Sequence, residues 1–159
     1  MKIVNLVRYI LKVYPHAKEL SKARLNKIIY LIDWKSALEH EKQLTKIDWK
    51  FNYYGPYVNI IEETILSDDR FNIKSTTNIY GNEKNIIEII QDKDFSEPTE
   101  KEQEIIDFVI EKTRKFYWDK FINLVYSTYP IISQEKGSQL NLVELAKEYK
   151  QIKKSEENS

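Results

Sequence analysis

Apolar residues at helical spacing predict two helices in the first part of the chain. The first covers about residues 4–13 and stops before Pro15. The second follows Ser21, a favourable N-cap, and runs over about residues 22–43. Its apolar residues form two stripes on roughly opposite sides, namely Leu25, Ile28, Ile29 and Ile32 on one side and Leu31, Trp34 and Leu38 on the other. Because a helix that is apolar on two faces usually packs between other elements, this helix is predicted to be central.

Alternating and isoleucine-rich runs predict strands in the middle of the chain. Residues 47–53 alternate between apolar and polar types until Gly55-Pro56 interrupts the pattern. Further strands are predicted within residues 71–80 and 85–91, with Gly81-Asn82 as the turn between them. We expect parts of these three runs to form one small sheet. The isoleucines of the last run indicate either a strand covered on both sides or an edge that binds a partner.

Four further helices are predicted from their apolar stripes and their end signals. A short helix marked by Val58, Ile61 and Ile65 is expected after the Gly-Pro break, ending near residues 67–69. Thr99 and Glu102 have capping-box spacing at the start of the next helix. A third carries Trp118, Phe121, Val125 and Tyr129 and is expected to end at Pro130, and Asn141 is expected to cap the last.

These elements together predict the fold class α+β, mostly α. The central helix of about residues 22–43 is expected to be surrounded by other helices, with a small antiparallel sheet beside it. Neither a repeat nor a long linker divides the chain, so residues 1–152 are expected to form a single domain. The polar residues 153–159 are expected to form a disordered tail.

The composition argues against most catalytic and cofactor chemistry. The 159 residues include no cysteine and only three glycines, which is too few for a dinucleotide-binding or phosphate-binding loop. His16 and His40 lie far apart, so both are interpreted as ordinary surface groups and not as metal ligands. We therefore expect no metal, no organic cofactor and no enzymatic activity. The absence of a signal-peptide pattern favours a cytoplasmic location.

The formal net charge is zero but unevenly distributed. Residues 1–50 carry an excess of six positive charges, and residues 51–159 carry an excess of six negative charges. The basic part is consistent with a surface for nucleic acid or for an acidic partner, or simply with solvated helix faces. Because lysine dominates and arginine is scarce, solvated faces are favoured, and nucleic-acid binding is expected to be weak and non-specific at most.

Aromatic side chains are the most distinctive feature of the sequence, with eleven tyrosines and three tryptophans. Trp49, Phe51 and Tyr53 alternate along one predicted strand, which favours a shared position facing the core. Tyr54 and Tyr57 flank Gly55-Pro56, and their place beside a turn favours exposure or contact with a partner. Tyrosine and tryptophan supply large, stiff contact area, which is why they are frequent at the centres of protein interfaces.

Three segments give the sequence a resemblance to a known family. Residues 25–30 (Leu-Asn-Lys-Ile-Ile-Tyr), the aromatic run from Leu44 to Tyr57, and the acidic-capped helix from Thr99 to Phe108 occur in that order. They resemble the Panacea antitoxin domain, which is SocA-like, and the likeness extends over about residues 1–150. Many members carry Thr-His followed by Pro-Trp after the late helix. This chain has Ser127-Thr128-Tyr129-Pro130 there, with Thr128 and Pro130 as candidates for the matching places.

The resemblance implies a non-catalytic antitoxin that binds a cognate toxin protein, which we expect to be encoded next to it. The matched motifs nominate six partner-binding residues, namely Lys27, Tyr30, Tyr54, Gly55, Pro56 and Tyr57. Two alternatives stay open. One is an inhibitor or adaptor of a host protein, encoded by a phage or mobile element, and the other is a nucleic-acid-binding regulator.

Overall fold

The computed structural model describes residues 1–77 and 79–158. Its α-helices are Ile3–Val13 (α1), Lys22–His40 (α2), Ile60–Leu66 (α3), Glu100–Thr113 (α4), Trp118–Tyr126 (α5), Tyr129–Ser133 (α6) and Leu142–Glu157 (α7). Its strands are Trp49–Asn52 (β1), Gly55–Pro56 (β2), Phe71–Thr77 (β3), Glu83–Ile89 (β4) and Gln139–Leu140 (β5). Helices dominate and the strands are short, which confirms the predicted α+β, mostly α class.

Both ends of α2 are set by local chemistry. The side-chain oxygen of Ser21 accepts a hydrogen bond of 3.1 Å from the backbone N–H of Arg24, as an N-cap does. Glu41 adopts a left-handed conformation, with φ at 60°, and its N–H donates to the carbonyl of Ala37. This left-handed residue ends the helix at His40, slightly before the predicted boundary near residue 43.

The second helix lies at the centre of the molecule. Leu25, Ile28 and Ile32 on one stripe are buried, and so is Trp34 on the other. The helix packs chiefly against α7 and α4. The prediction of a central helix from its two apolar stripes is therefore confirmed.

The strands form two separate sheets, so the prediction of a single sheet was wrong. β1 is the middle strand of an antiparallel sheet with the order β2-β1-β5, whereas β3 and β4 form a second, two-stranded sheet. Both edges of β1 are occupied by two-residue strands, one of them far along the chain, and neither was predicted. In β4, Ile86 and Ile87 point to opposite faces and are both buried, so this strand is covered on both sides.

Pro130 begins a helix instead of ending one. The predicted helix through Tyr129 stops at Tyr126, and Pro130 lies in the first turn of the short α6. Proline is tolerated there because its missing N–H would have no helical partner in a first turn. The capping box of Thr99 and Glu102 is present as predicted.

The last helix is longer than predicted. Asn141 caps its start, as expected, by accepting a hydrogen bond from the N–H of Glu144. The helix continues through Glu157, so residues 153–157 are exposed but helical, whereas the sequence suggested a disordered tail from residue 153. Lysine and glutamate are good helix formers, which allows the helix to extend beyond its packed part.

A buried carboxylate joins α2 to β1. Asp33 is fully buried and accepts hydrogen bonds from the backbone N–H of Thr45 (3.0 Å), from its hydroxyl (2.5 Å) and from the indole N–H of Trp49 (2.9 Å). Burial raises the pKa of Asp33, and these hydrogen bonds to the charged form oppose the rise. The network fixes the start of the sheet that carries the aromatic run.

We expect Asp33→Asn to lower the free energy of unfolding by about 2 kcal/mol or more, because the new amide NH₂ must face groups that are themselves donors. Urea unfolding followed by circular dichroism measures the change. Asp69→Asn, at an exposed position, is the matched control and should shift stability by less than about 0.5 kcal/mol. Equal stability of the two variants would contradict the role assigned to Asp33.

Candidate functional site

The candidate site is a tight hairpin between β1 and β2. Asn52 pairs with Gly55, so only Tyr53 and Tyr54 form the loop. Gly55 has φ at 97°, a conformation that residues with a side chain rarely adopt. Backbone hydrogen bonds hold β1 on both edges, from Tyr57 N–H to the Lys50 carbonyl and from β1 to the segment before β5. The hairpin is therefore held in place up to its tip.

Two exposed tyrosines form the tip of this hairpin. The side chains of Tyr53 and Tyr54 are 73% and 76% exposed, and their rings meet edge to face with centroids 4.9 Å apart. The ammonium of Lys136 lies 5.1 Å from the centroid of the Tyr53 ring. The exposure of Tyr54 agrees with the prediction. The core position predicted for Tyr53 was wrong, because the strand ends at Asn52 and the turn stops the alternation of faces.

Trp49 and Phe51, the other two aromatic residues of the predicted strand, are buried as expected. They lie on the inner face of β1, before the turn begins. The alternation rule therefore holds over the strand itself and fails only at the hairpin tip.

Behind the hairpin, a buried lysine and a buried asparagine of α2 hold the chain that leaves it. The ammonium of Lys27 donates a 2.8 Å hydrogen bond to the carbonyl of Pro56 and lies 5.2 Å from the centroid of the half-buried Tyr57 ring. The Asn26 amide donates to the Val58 carbonyl at 2.8 Å and accepts from its N–H at 3.4 Å. Residues 56–58 are thus fixed to the central helix.

The Lys27 ammonium is buried without a negative partner. The residue is 4% exposed, and no carboxylate within residues 1–77 and 79–158 makes an ion pair with it. Burial lowers the pKa of Lys27 to about 8, because the charged form loses its hydration. The Pro56 carbonyl and the face of the Tyr57 ring are the groups that compensate the charge.

Tyr30 links the central helix to the junction between α5 and α6. Its hydroxyl shares a 2.8 Å hydrogen bond with the hydroxyl of Thr128, and its ring meets Trp49 edge to face at 5.5 Å. Burial raises the pKa of Tyr30. At the same junction, the ring of Tyr126 lies 3.4 Å from the position that a side chain on Gly55 would take. The hairpin therefore rests on α2 and on the α5–α6 junction.

The contacting residues of α2, the hairpin and the α5–α6 junction all lie within the span that one family model matches. The model described as "Antitoxin SocA-like, Panacea domain" matches residues 25–130, which is two thirds of the chain. The chain belongs to this family. The match begins within α2 and ends within α6, a narrower span than the resemblance of about residues 1–150. Comparison with curated proteins and with solved structures gives no significant match.

In this Panacea domain, the predicted site residues occupy one region but differ in accessibility. Lys27 lies against Pro56, so two motifs that are distant in the sequence are in direct contact. Lys27, Tyr30, Gly55 and Pro56 are buried, and the side chains of Lys27 and Tyr30 support the hairpin from behind. Tyr54 is exposed and Tyr57 is half-buried. Contact of any of these residues with a partner stays a prediction.

Two groups of site residues were missed from the sequence. Tyr53 was assigned to the core, although Tyr-Tyr followed by a glycine after a strand is compatible with a two-residue hairpin. Asn26 and Thr128 were not recognised as anchors of this Panacea domain. Asn26 could have been recognised as a polar residue inside the apolar pattern of a central helix, because a buried polar group there needs a hydrogen-bond partner.

Two further observations concern other classes of site. Within the described part of the chain, no group of three or more His, Cys, Asp or Glu side chains is arranged to hold a metal ion. Among the helices of the same residues, none combines the length and the apolarity needed to span a bilayer.

The buried charge of Lys27 predicts a specific pH dependence. Its folded-state pKa is lower than its ordinary value of 10.5, so the unfolded chain binds more protons between about pH 8 and 10.5. The quantity to compare is the free energy of unfolding of the unsubstituted protein minus that of Lys27→Met. We expect this difference to be constant below pH 8. It should then rise by up to about 1.4 kcal/mol per pH unit above pH 8. Urea titrations at several pH values measure this difference. Lys150→Met, at an exposed position, controls for the loss of one charge, and a flat difference from pH 7 to 10.5 would contradict the prediction.

The conformation of Gly55 predicts a cost for any side chain at the hairpin. Gly55→Ala is expected to reduce stability by about 1–3 kcal/mol, because its φ of 97° strains a residue with Cβ. Gly137, with φ at 92° and open space around it, is the matched control. In urea unfolding, Gly137→Ala should lose only the stability that the strained backbone costs. Gly55→Ala should lose at least as much, because its new Cβ also lies close to the Tyr126 ring. A neutral Gly55→Ala would contradict this account.

Proposed function

We propose that this Panacea domain is a non-catalytic cytoplasmic antitoxin that neutralises a cognate toxin by direct protein–protein contact at the Tyr53–Tyr54 hairpin. Membership of an antitoxin-like family supports the general role. The observation that carries the proposal is the pair of exposed tyrosines in contact with each other, on a turn that continues into the buried Gly55 and Pro56.

The hairpin is held in place by its neighbours, and this favours binding through its two tyrosines. Aromatic side chains are frequent energetic centres of interfaces, and their contribution is largest when little order must be gained on binding. The hairpin loop has only two residues, β1 is hydrogen-bonded along both of its edges, and Lys27 holds Pro56 from behind. Tyr53 and Tyr54 are thus presented in one arrangement before any partner arrives.

An inhibitor or adaptor acting on a host protein would use the same kind of surface. The partner must therefore be identified by its effect on growth as well as by its affinity. The decisive candidate is the product of the reading frame adjacent to this one. We expect that product to stop growth when expressed alone and to be harmless when expressed together with this protein.

We expect Tyr53→Ala combined with Tyr54→Ala to abolish rescue of growth and to weaken binding of the purified neighbouring protein. Loss of two exposed anchors corresponds to an affinity loss of about 30-fold. Co-expression plating measures rescue, and calorimetric titration measures affinity. Thermal unfolding should be nearly unchanged, because both side chains are largely solvated.

Tyr117→Ala is the matched control, since this tyrosine is 90% exposed and lies outside the hairpin. It should retain both rescue and affinity. Full rescue by a stably folded double variant would contradict the proposed binding surface. An adjacent product that is not toxic, together with unchanged growth when either protein is expressed, would contradict the antitoxin function itself.

A further inference from the structure

A broad groove adjoins the tyrosine hairpin on the outer side of β1. It has a volume of about 1050 Å³ and lies between the start of α1, the segment that leads into β1, and the start of α3. Asn52 and Tyr57, which flank the hairpin on either side, both line it. The groove is therefore continuous with the surface assigned to the partner.

The charged lining of the groove is mostly positive. Lys2, Lys46 and Lys50 line it and are exposed, whereas Asp48 is the only acidic side chain among the described residues that line it. In the described part of the chain, none of these three lysines makes an ion pair with a carboxylate. They account for much of the positive excess of residues 1–50. Three unpaired ammonium groups beside one carboxylate are complementary to an acidic ligand.

Apolar side chains form a second part of the lining. Ile3, Val4, Ile47, Val58 and Ile60 contribute to it, and Ile60 is 44% exposed. An apolar floor with a charged rim is typical of a site for a protein segment, which can place an apolar side chain on the floor and charges at the rim. The backbone of a nucleic acid has no apolar side chain to bury, and the rim offers lysine without arginine.

We propose that this groove binds an acidic segment of the partner protein. Carboxylates of that segment face Lys2, Lys46 and Lys50, and an apolar side chain packs on Ile60 and Val4. The inference rests on the proposed function for the identity of the partner, and it adds the chemistry of the segment that occupies the groove. The hairpin and the groove then form two adjacent parts of one interface.

The first test measures the groove directly, with the full chain and defined probes. The probe is a short fluorescein-labelled peptide of glutamate and leucine, and binding is followed by fluorescence anisotropy at low and high salt. A glutamine–leucine peptide, a glutamate–serine peptide and oligothymidine are the comparison probes. We expect the glutamate–leucine peptide to bind best and its affinity to fall as salt is added.

Charge reversal at Lys46→Glu with Lys50→Glu should weaken binding of the glutamate–leucine peptide at least about tenfold, since two weak attractions become repulsions. The neutral pair Lys46→Gln with Lys50→Gln should give an intermediate loss and guards against a folding defect. Lys150→Glu with Lys154→Glu, exposed on α7 and equal in charge change, should stay within about twofold of the native protein.

Several outcomes would overturn the inference. These are no binding of the glutamate–leucine peptide, equal binding of the glutamine–leucine peptide, or no effect of the groove variants. Tighter binding of oligothymidine that is lost in Lys46→Glu with Lys50→Glu would assign the groove to nucleic acid instead.

A second test separates this inference from the proposed function. Affinity for the adjacent gene product is measured for the groove variant and for the tyrosine variant. If only the tyrosine variant loses affinity and rescue, the groove inference fails and the antitoxin proposal stands. If the adjacent product is harmless but the peptide experiments succeed, the groove inference stands and the antitoxin proposal fails.

Discussion

The structure depends on burying one helix that is not purely apolar. α2 is enclosed by its neighbours, yet it carries Asn26, Lys27, Tyr30 and Asp33 into the interior. A buried polar group without a partner costs about 1–3 kcal/mol, so each of these side chains must find one. Each finds it outside α2, and those hydrogen bonds determine which segments lie beside the helix.

This constraint explains why the hairpin is rigid. Lys27 and Asn26 bind the chain just after the turn, and Asp33 binds the chain just before β1. The aromatic run is thus attached to the same helix at both of its ends. Tyr30 and Thr128 connect the helix to the α5–α6 junction, on which Gly55 rests. The exposed tyrosines lie at the tip of this arrangement, where their side chains reach solvent.

The chemistry of the surface follows from the same arrangement. The inner face of β1 supplies Trp49 and Phe51 to the core, so its outer face must present the intervening residues, including Lys50. The neighbouring starts of α1 and α3 bring Lys2 and Ile60 to the same side. A stiff aromatic tip and a basic groove with an apolar floor are then contiguous, which suits a protein partner better than a small molecule. Burial lowers the pKa of Lys27 behind the tip, and its ammonium contributes nothing directly to the surface charge.

Local patterns in the sequence determined most of the helices, the N-caps of α2, α4 and α7, the family and the central position of α2. Two apolar stripes, Ser21 before α2 and the capping box at Thr99 act over a few residues, so they can be recognised without the fold. The pairing of strands and the exposure of Tyr53 were decided only by the tertiary structure. β5 joins β1 from across the chain, because strand pairing depends on long-range contacts. Tyr53 is exposed because β1 ends at Asn52, where the chain turns back to pair as β2. The contact between Lys27 and Pro56 is of the same kind, since it forms only where the burial of α2 requires a partner for its ammonium.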